Sequence, residues 1–301
     1  MDPHLFHNRS DVFENHCNGS SLRFGLTETA SSYLLCAIFW LLSVITVCGN
    51  LLVITAIIYF RQLHSPTHYL ILSLAVADLL VGVLVLPFSA VLIVKPCFYL
   101  QTFICRVRNS CDMLLSTTSI LNLCFISVDR YHAVCQPLKY RIIINVRITV
   151  GMIAVSWTLP ILIGIGITMN DPNQSPTRSV IILTTYLKIL IVAQRQARTI
   201  KNAASLSRAP GEMLSKMQRK ATRTLSVVMG IFLMCWTPFF LSLMLNPLSN
   251  NTIPTSVINS FKWLGWSNSM LNPFVYAFFY NWFRSAFKMI ISGQIFRGQC
   301  S

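Results

Sequence analysis

The chain has 301 residues, of which 54% are hydrophobic and only 11% are charged, and its formal net charge is +15. Soluble domains carry roughly 25% charged residues, so this composition excludes an ordinary soluble protein and predicts a helical membrane protein. With seven crossings and the amino terminus outside, 17 of the 24 Lys and Arg residues fall on the inner side. Because this is the positive-inside distribution, the charge predicts a membrane topology and not nucleic-acid binding.

The segment Met1–Ser32 is a polar tail that lacks the apolar core of a signal peptide, and we expect this tail to be extracellular. Two glycosylation sequons begin in it, at Asn8 and at Asn18. Cys17 lies in the same tail, and Cys97 and Cys105 also fall on the oxidising side, where disulfides form. These three cysteines are therefore the disulfide candidates.

Two polar side chains fall inside the first two apolar segments. The first predicted helix, Tyr33–Tyr59, contains Asn50, and the second, Tyr69–Val94, contains Asp78 near the middle of the membrane. Polar side chains at that depth are costly in lipid, so both are expected to face the bundle interior and to find partners there. Pro87 predicts a kink in the outer part of the second helix, because proline lacks a backbone donor.

The third segment, Cys105–Tyr140, is long enough to cross the bilayer, yet it carries Asp112 in its outer third and Asp129-Arg130 at its inner end. An intramembrane carboxylate marks a candidate functional site. The sequence positions of Asp112 and Arg130 differ by five full helical turns, so the two residues share one helix face at a distance of about 27 Å. The same stripe contains Ser116, Ser119, Leu123 and Ile126. This arrangement suits a signal-transmitting helix; the alternative is a structural helix with an interfacial acid and a snorkelling arginine.

The fifth apolar run is unusually short. The fourth predicted helix, Val146–Thr168, is followed by the brief loop Met169–Ser179 and then by the apolar run Val180–Ala193, which includes Lys188. A run of this length rarely crosses a bilayer alone, because a spanning helix needs about 20 residues. The fifth helix therefore starts inside the loop, is shortened, or distorts the surrounding bilayer. The basic segment 194–223 is predicted to extend the neighbouring helices and to meet a partner or anionic lipid.

The sixth predicted helix, Thr224–Leu245, contains Pro238, whose kink can act as a hinge. The aromatic group around it serves either as a pocket wall or as ordinary core, and comprises Phe232, Trp236, Phe239 and Phe240. In the seventh, Pro254–Tyr280, one face carries Lys262, Trp266, Ser269, Pro273, Tyr276 and Tyr280. Asn281–Ser292 is amphipathic and is expected to lie along the inner membrane surface. The predicted parts are a tail at 1–32, a helical bundle at 33–280 and an amphipathic helix with its tail at 281–301.

Six landmarks occur in order along the chain: Gly49-Asn50, LAVAD ending at Asp78, Asp129-Arg130-Tyr131, Trp157, Cys-Trp-Thr-Pro at 235–238, and Asn272-Pro273-Phe274-Val275-Tyr276. In these landmarks the chain resembles the rhodopsin-like (class A) G-protein-coupled receptors. Asn268–Phe283, NSMLNPFVYAFFYNWF, is similar to the fingerprint of the trace amine-associated receptor family. The resemblance implies an all-α membrane protein of the plasma membrane, a seven-transmembrane helix bundle with a short amphipathic eighth helix.

The resemblance also implies roles for individual residues. Asp112 is similar to the aspartate that binds a ligand ammonium, in a pocket lined by Ser116, Trp236, Phe239, Phe240, Lys262 and Trp266. A sodium ion or water would be held by Asn50, Asp78, Ser119, Asn268 and Asn272, and no other cofactor is implied. The G-protein switch would comprise Asp129, Arg130, Tyr131, Tyr186 and Tyr276. The implied function is a receptor for amines of the trace amine or polyamine odorant type, signalling through a stimulatory heterotrimeric G protein.

The chain departs from this family in its cysteines. Relatives bridge a cysteine of the second outer loop to the one that matches Cys105. This chain has no cysteine between Cys135 and Cys235. Cys105 therefore pairs with Cys17, pairs with Cys97, or stays free.

Two further departures affect the predicted pocket. If Tyr186 is the tyrosine of the family's fifth helix, Arg178 occupies the position of that helix's proline, which indicates a missing block of chain. Lys262 and Trp266 stand where relatives have an uncharged residue and a tyrosine. Lys262 either pairs with Asp112 and competes with an incoming amine, or snorkels to the outer water.

Three other functions compete with an amine receptor. A receptor remnant with a broken outer pocket would keep the fold and lose the signal. A transporter or channel is expected to show an internal repeat or paired broken helices, and neither is evident in the sequence. An enzyme would need a nucleophile–base set or a metal-ligand spacing, and neither stands out.

Overall fold

The computed structural model describes residues 27–60, 63–94, 101–169, 191, 194–195, 198, 216–248 and 252–292. Five residues with predicted roles lie outside this description: Asn8, Asn18, Cys17, Cys97 and Tyr186. Cys105 enters it only through the backbone of its helix. Most of the predicted fifth helix also lies outside the described residues, so the questions about that helix stay open.

The regular elements in the described part of the chain are all helices, which confirms the predicted all-α class. They are α1 (Thr27–Tyr59), α2 (Pro66–Leu80, a π-helical turn Val81–Val85, and Leu86–Val94), α3 (Gln101–Cys135), α4 (Pro137–Ile143), α5 (Val146–Met169), α6 (Lys216–Leu248), α7 (Thr255–Phe279) and α8 (Asn281–Ile291). Among the described residues, five of these helices are long and apolar enough to cross a membrane, namely α1, α2, α3, α5 and α6.

The bundle is apolar on its outside and polar at selected points inside. Large hydrophobic side chains on α1 are exposed, among them Tyr33, Leu34, Leu41, Val44 and Ile58. Asn50 and Asp78, which the sequence predicts to face inward, are buried, and Asp112 and Asp129 are buried as well. In water such an outer surface would be a large apolar patch, whereas in a bilayer it contacts lipid.

The ends of several helices follow from local sequence. α1 begins at Thr27, ahead of the apolar run that starts at Tyr33, so the helix extends into the predicted tail. α3 ends at Cys135, and Pro137 then opens α4, because proline suits the first turn of a helix. α7 ends at Phe279; Tyr280 has extended backbone with φ −105° and ψ 116°, and α8 begins at the next residue, as predicted.

Just before Pro87, where the sequence predicts a kink, α2 contains a π-helical turn over Val81–Val85. In this turn the N–H of Leu86 bonds to the carbonyl of Val81 rather than to that of Gly82. The carbonyl of Gly82 loses its α-helical partner in this way, and the Ser43 hydroxyl of α1 donates to it at 2.6 Å. The π-helical turn is therefore stabilised by the neighbouring helix, because a freed backbone carbonyl in the membrane needs another donor.

Close helix contacts hold the bundle together near the functional residues. A Cβ added to Gly49 would lie 2.9 Å from the Pro273 side chain, so the glycine lets α1 approach α7 closely. The Trp157 indole of α5 donates to the Ser73 hydroxyl of α2 at 3.0 Å. The central core contains Leu70, Leu74, Ile120, Leu123, Met229, Phe232 and Val275. These contacts fix α2, α3, α6 and α7 around one interior.

α8 has one buried side and one exposed side. Phe283 and Ala286 are almost fully buried, whereas Arg284 and Lys288 are exposed. The rings of Phe283 and Phe287 stack with centroids 6.4 Å apart. This pattern is the amphipathic one that the sequence predicts for a helix lying at the inner membrane surface.

Candidate functional site

Asp112 of α3 is the centre of a polar group at the outer end of the bundle, and only 5% of it is exposed. The Lys262 ammonium of α7 lies 2.6 Å from one carboxylate oxygen, Oδ2. The Trp266 indole N–H, one turn further along α7, donates to the other oxygen, Oδ1, at 2.5 Å. Ser116 donates to the same oxygen at 3.3 Å. Of the two alternatives for Lys262, the structure therefore shows the ion pair with Asp112.

A second cation lies beside this pair. The Arg108 guanidinium, one turn before Asp112 on α3, is 5.5 Å from the centre of the Trp266 ring, and the Lys262 ammonium is 5.4 Å from it. Both distances allow a cation–π attraction. We call Arg108, Asp112, Lys262 and Trp266 the outer quartet. The quartet ties the outer halves of α3 and α7 together through charge.

The predicted aromatic wall packs against α7 at Gly265, the residue before Trp266 of the outer quartet. Trp236 of α6 stacks on Phe240 at 5.6 Å and 20°, and it meets Phe239 edge-on at 5.9 Å. A Cβ added to Gly265, the residue before Trp266, would lie 2.8 Å from the Trp236 ring. The predicted hinge region of α6 thus packs on the backbone of α7 at Gly265, with no side chain between them.

We expect Gly265→Ala to lower stability by about 1–3 kcal/mol, because the added methyl group overlaps the Trp236 ring and an overpacked core has to shift. The melting temperature of the purified chain measures this. Gly230→Ala is the matched control: the residue is also a helical glycine, of α6, and nothing lies within 4 Å of its added Cβ. Equal melting temperatures for the two variants would contradict the packing argument.

A buried polar cluster surrounds Asp78 of α2, deeper in the bundle. Its Oδ1 accepts hydrogen bonds from Ser119 at 3.1 Å and from Ser269 at 2.8 Å, and its Oδ2 accepts one from Asn272 at 2.7 Å. Asn50 donates to the Ser269 carbonyl at 3.1 Å. The cluster joins α1, α2, α3 and α7. Ser269 was predicted only as a member of the α7 face, and the structure adds it to the cluster.

Two oxygens in this region have no hydrogen-bond partner among the residues that the structure describes. They are the side-chain carbonyl oxygens of Asn50 and Asn268, both buried. A buried acceptor without a donor costs about 1–3 kcal/mol. Asn50 is joined to the cluster through the Ser269 carbonyl, so its free oxygen adds to the Asp78 carboxylate and the hydroxyls of Ser119 and Ser269. Oxygens of this kind are the ligands that hard cations prefer.

At the inner end of α3, Asp129 is fully buried and holds Arg130. Arg130 Nε and Nη2 donate to Asp129 Oδ2 at 2.8 and 2.6 Å. Thr67 of α2 donates to the same oxygen at 2.7 Å and is also bonded to the Arg130 guanidinium. The Tyr140 hydroxyl of α4 donates to Oδ1 at 2.8 Å. We call Thr67, Asp129, Arg130 and Tyr140 the inner lock.

Tyr140 serves the inner lock as a neutral donor. Burial and the neighbouring Asp129 carboxylate raise the pKa of its phenol above the usual value, so the proton stays on the hydroxyl. Sequence reasoning missed both Thr67 and Tyr140, because Thr67 falls between the first two predicted helices and Tyr140 is the last residue of the third segment, where no apolar periodicity marks a face. Of the other two predicted switch residues that the structure describes, Tyr131 meets His132 edge-on, and Tyr276 of α7 is buried and meets Tyr280 edge-on.

A bundle of membrane-spanning helices with an ion pair between α3 and α7, a buried polar cluster and the Asp129–Arg130 pair has the architecture of a helical membrane receptor. The family pattern described as 7 transmembrane receptor (rhodopsin family) matches residues 49–179 and 177–276. Trace amine-associated receptor 4 of Mus musculus is 38% identical over 294 residues, covering 86% of this chain and 85% of that receptor. Trace amine-associated receptor 1 of Homo sapiens is 36% identical over 293 residues, covering 85% of this chain and 86% of that receptor.

The chain therefore belongs to the rhodopsin family of seven-transmembrane receptors, close to the trace amine-associated receptors. It is a multi-pass membrane receptor rather than an enzyme, and its partners are a small-molecule ligand and a G protein. The receptor-remnant alternative is not favoured, because the similarity runs through both halves of the chain.

The match to the family is interrupted at one place. Its two pieces meet at residues 177–179, where the short loop and the short apolar run adjoin. The alignment with the mouse receptor spans 294 positions but uses 86% of this 301-residue chain, so the relative contains residues that have no counterpart here. The break in the family match lies at the place where the sequence predicts a missing block, before the fifth helix.

Proposed function

We propose that this receptor binds a small organic molecule with a protonated amine and signals through a stimulatory heterotrimeric G protein at the plasma membrane, with its amino terminus outside. The observation that carries the proposal is the buried Asp112 carboxylate on the same helix face as Arg130 of the inner lock. An ammonium bound to Asp112 would form a charge-assisted hydrogen bond in a water-poor pocket. Trp236, Phe239 and Phe240 would then contact the organic part of the ligand.

The ion pair between Lys262 and Asp112 competes with the binding of an amine. Because Asp112 already has an ammonium partner at 2.6 Å, an incoming amine has to replace Lys262 or share the carboxylate with it. Replacement leaves a partly buried lysine without a counterion, which is unfavourable. Simple amines are therefore expected to act only at high concentration on the unmodified receptor.

Lys262→Gln is expected to raise the potency of simple amines by about tenfold, because the competing ammonium is gone while Asp112 keeps its charge. Amine-evoked cAMP in cells that express wild type and variant at equal surface density measures the change. This experiment also tests the proposed function, since an amine receptor has to respond in at least the variant. A variant that responds no better than wild type would contradict the competition.

Signal transfer follows from the way α3, α6 and α7 are joined. A ligand shifts the receptor toward its active state only by binding that state more tightly. When a ligand binds Asp112 in place of Lys262, the ion pair that joins α7 to α3 is broken. Trp236 of α6 packs on α7 at Gly265, so a shift of α7 changes the contact with α6. We propose that α6 then swings about the Pro238 hinge and that Arg130 leaves Asp129. Arg130, Tyr131 and Tyr276, with Tyr186, would line the cavity that receives the G protein.

We propose that the cluster around Asp78 binds a sodium ion, for which Asn50, Asn268 and Ser119 offer further oxygens. Sodium bound there would hold α2, α3 and α7 in the inactive arrangement. Replacing potassium with sodium at equal ionic strength is then expected to raise the melting temperature of the purified chain by about 2 °C or more, because a ligand of the folded state stabilises it. Asp78→Asn should remove the difference; a difference that persists in this variant would contradict the site.

A further inference from the structure

The outer quartet contains more positive than negative charge. Among its four residues, Arg108 and Lys262 are cations and Asp112 is the single acid. Asp112 is already well satisfied, with Lys262 on one oxygen and Trp266 on the other. The excess positive charge is therefore that of Arg108. Its guanidinium lies over the Trp266 ring, and no carboxylate of the quartet is left to pair with it.

Arg108 also has an unused donor. Its Nε atom is buried and has no hydrogen-bond acceptor in the described structure. A buried guanidinium donor without an acceptor is unfavourable, and guanidinium groups bind carboxylates with two parallel hydrogen bonds. Arg108 lies one helical turn before Asp112, and residues four apart on a helix have Cβ atoms about 5–6 Å apart. A ligand bound at Asp112 is therefore within reach of the Arg108 guanidinium.

Resting on the function proposed above, we propose that the ligand is a zwitterion, with a carboxylate as well as an ammonium. Its ammonium takes Asp112, and its carboxylate takes Arg108 and the displaced Lys262. Each charged group then has a partner of opposite sign. The short spacing between Arg108 and Asp112 fits an amino acid whose two charged groups are separated by only one or two carbon atoms.

The alternatives leave charges unpaired. A simple amine adds a third cation to the outer quartet and leaves both Arg108 and Lys262 without a counterion. A simple carboxylic acid pairs with Arg108 but does nothing to the bond between Asp112 and Lys262, so α3 and α7 stay joined. A zwitterion is the class of ligand that both fills the vacant donor and separates the existing pair.

The test uses matched pairs in which one member is an amino acid and the other is the amine left when its carboxyl group is removed. They are phenylalanine with 2-phenylethylamine, tyrosine with tyramine, and leucine with 3-methylbutylamine; 3-phenylpropanoate serves as the acid-only probe. Two readouts are taken on the full chain: cAMP in cells with matched surface expression, and thermal stabilisation of the purified receptor, which needs no G protein. In at least one pair the amino acid is expected to be about tenfold more potent than its amine.

Arg108→Gln is expected to abolish this preference and Arg108→Lys to retain part of it. Arg147→Gln, at an exposed arginine on α5 far along the chain from the quartet, controls for the loss of a positive charge and should keep the full preference. Lys262→Gln should weaken the amino acid while it strengthens the amine. Opposite effects of one substitution on two such similar ligands cannot come from misfolding.

The outcomes separate this inference from the proposed function. If every amine equals or exceeds its amino acid, the zwitterion inference is overturned and the amine receptor stands. If Arg108→Gln weakens amine and amino acid equally, Arg108 is only structural and the inference is again overturned. If 3-phenylpropanoate alone matches phenylalanine, or if no probe binds at millimolar concentration by either readout, both the inference and the amine receptor are overturned.

Discussion

Asp112→Asn is expected to lower the potency of any ammonium ligand by at least about 100-fold, because losing one partner of a buried charge pair costs about 2–5 kcal/mol. Asparagine has almost the same shape, so it can still accept the Trp266 hydrogen bond while it no longer attracts a cation. Concentration–response curves for cAMP at matched surface expression give the shift.

Two variants show whether charge is responsible for that loss. Ser116→Ala removes a single long hydrogen bond of 3.3 Å to the same carboxylate and is expected to change potency by less than about threefold. Asp112→Glu keeps the charge and moves it, so its effect should be intermediate. Potency in Asp112→Asn within threefold of wild type, or a loss no greater than that of Ser116→Ala, would contradict an ammonium site at Asp112.

Asp129→Asn is expected to raise ligand-independent signalling by about tenfold. In the inner lock the Asp129 carboxylate accepts from Arg130, Thr67 and Tyr140, so it is the common acceptor of the whole group. Breaking a buried ion pair by neutralising one partner costs about 3–5 kcal/mol. Where that cost falls on the inactive state, the population of the active state rises. Basal cAMP per receptor at the cell surface is the measurement.

Tyr140→Phe provides a graded comparison, because it removes one hydrogen bond from Asp129 and leaves the ion pair with Arg130 intact. Its basal signalling is expected to lie between those of wild type and Asp129→Asn. The opposite ranking, or a silent Asp129→Asn receptor that reaches the surface and still binds ligand, would show that the inner lock does not restrain the receptor.

Much of the fold can be predicted from local sequence patterns. Apolar runs predicted the helices, and a spacing of whole helical turns placed Asp112 and Arg130 on one face of α3. The burial of Asn50 and Asp78 followed from the cost of polar groups in lipid. These predictions required only the local periodicity of the sequence and the cost of placing polar groups in lipid.

The remaining features depend on contacts between distant segments. Whether Lys262 pairs with Asp112 or reaches water depends on how α3 and α7 approach each other, and the sequence left both open. Thr67 and Tyr140 join the inner lock from segments with no periodic pattern. Arg108 has no predicted role in the sequence analysis, although its place one helical turn before Asp112 identifies it as a neighbour on the same helix face. Pro87 signalled a kink, but the π-helical turn and its bond to Ser43 required the position of α1.

The account as a whole depends on one arrangement: Lys262 occupies the place on Asp112 that a ligand's ammonium takes. The most direct test is a double-mutant cycle, in which the potency of 2-phenylethylamine is measured on wild type, Lys262→Gln, Asp112→Asn and the double variant. We predict that Lys262→Gln raises potency when Asp112 is present and has no effect when Asn replaces it. An equal rise in both backgrounds would show that Lys262 acts without reference to Asp112, and would contradict the account.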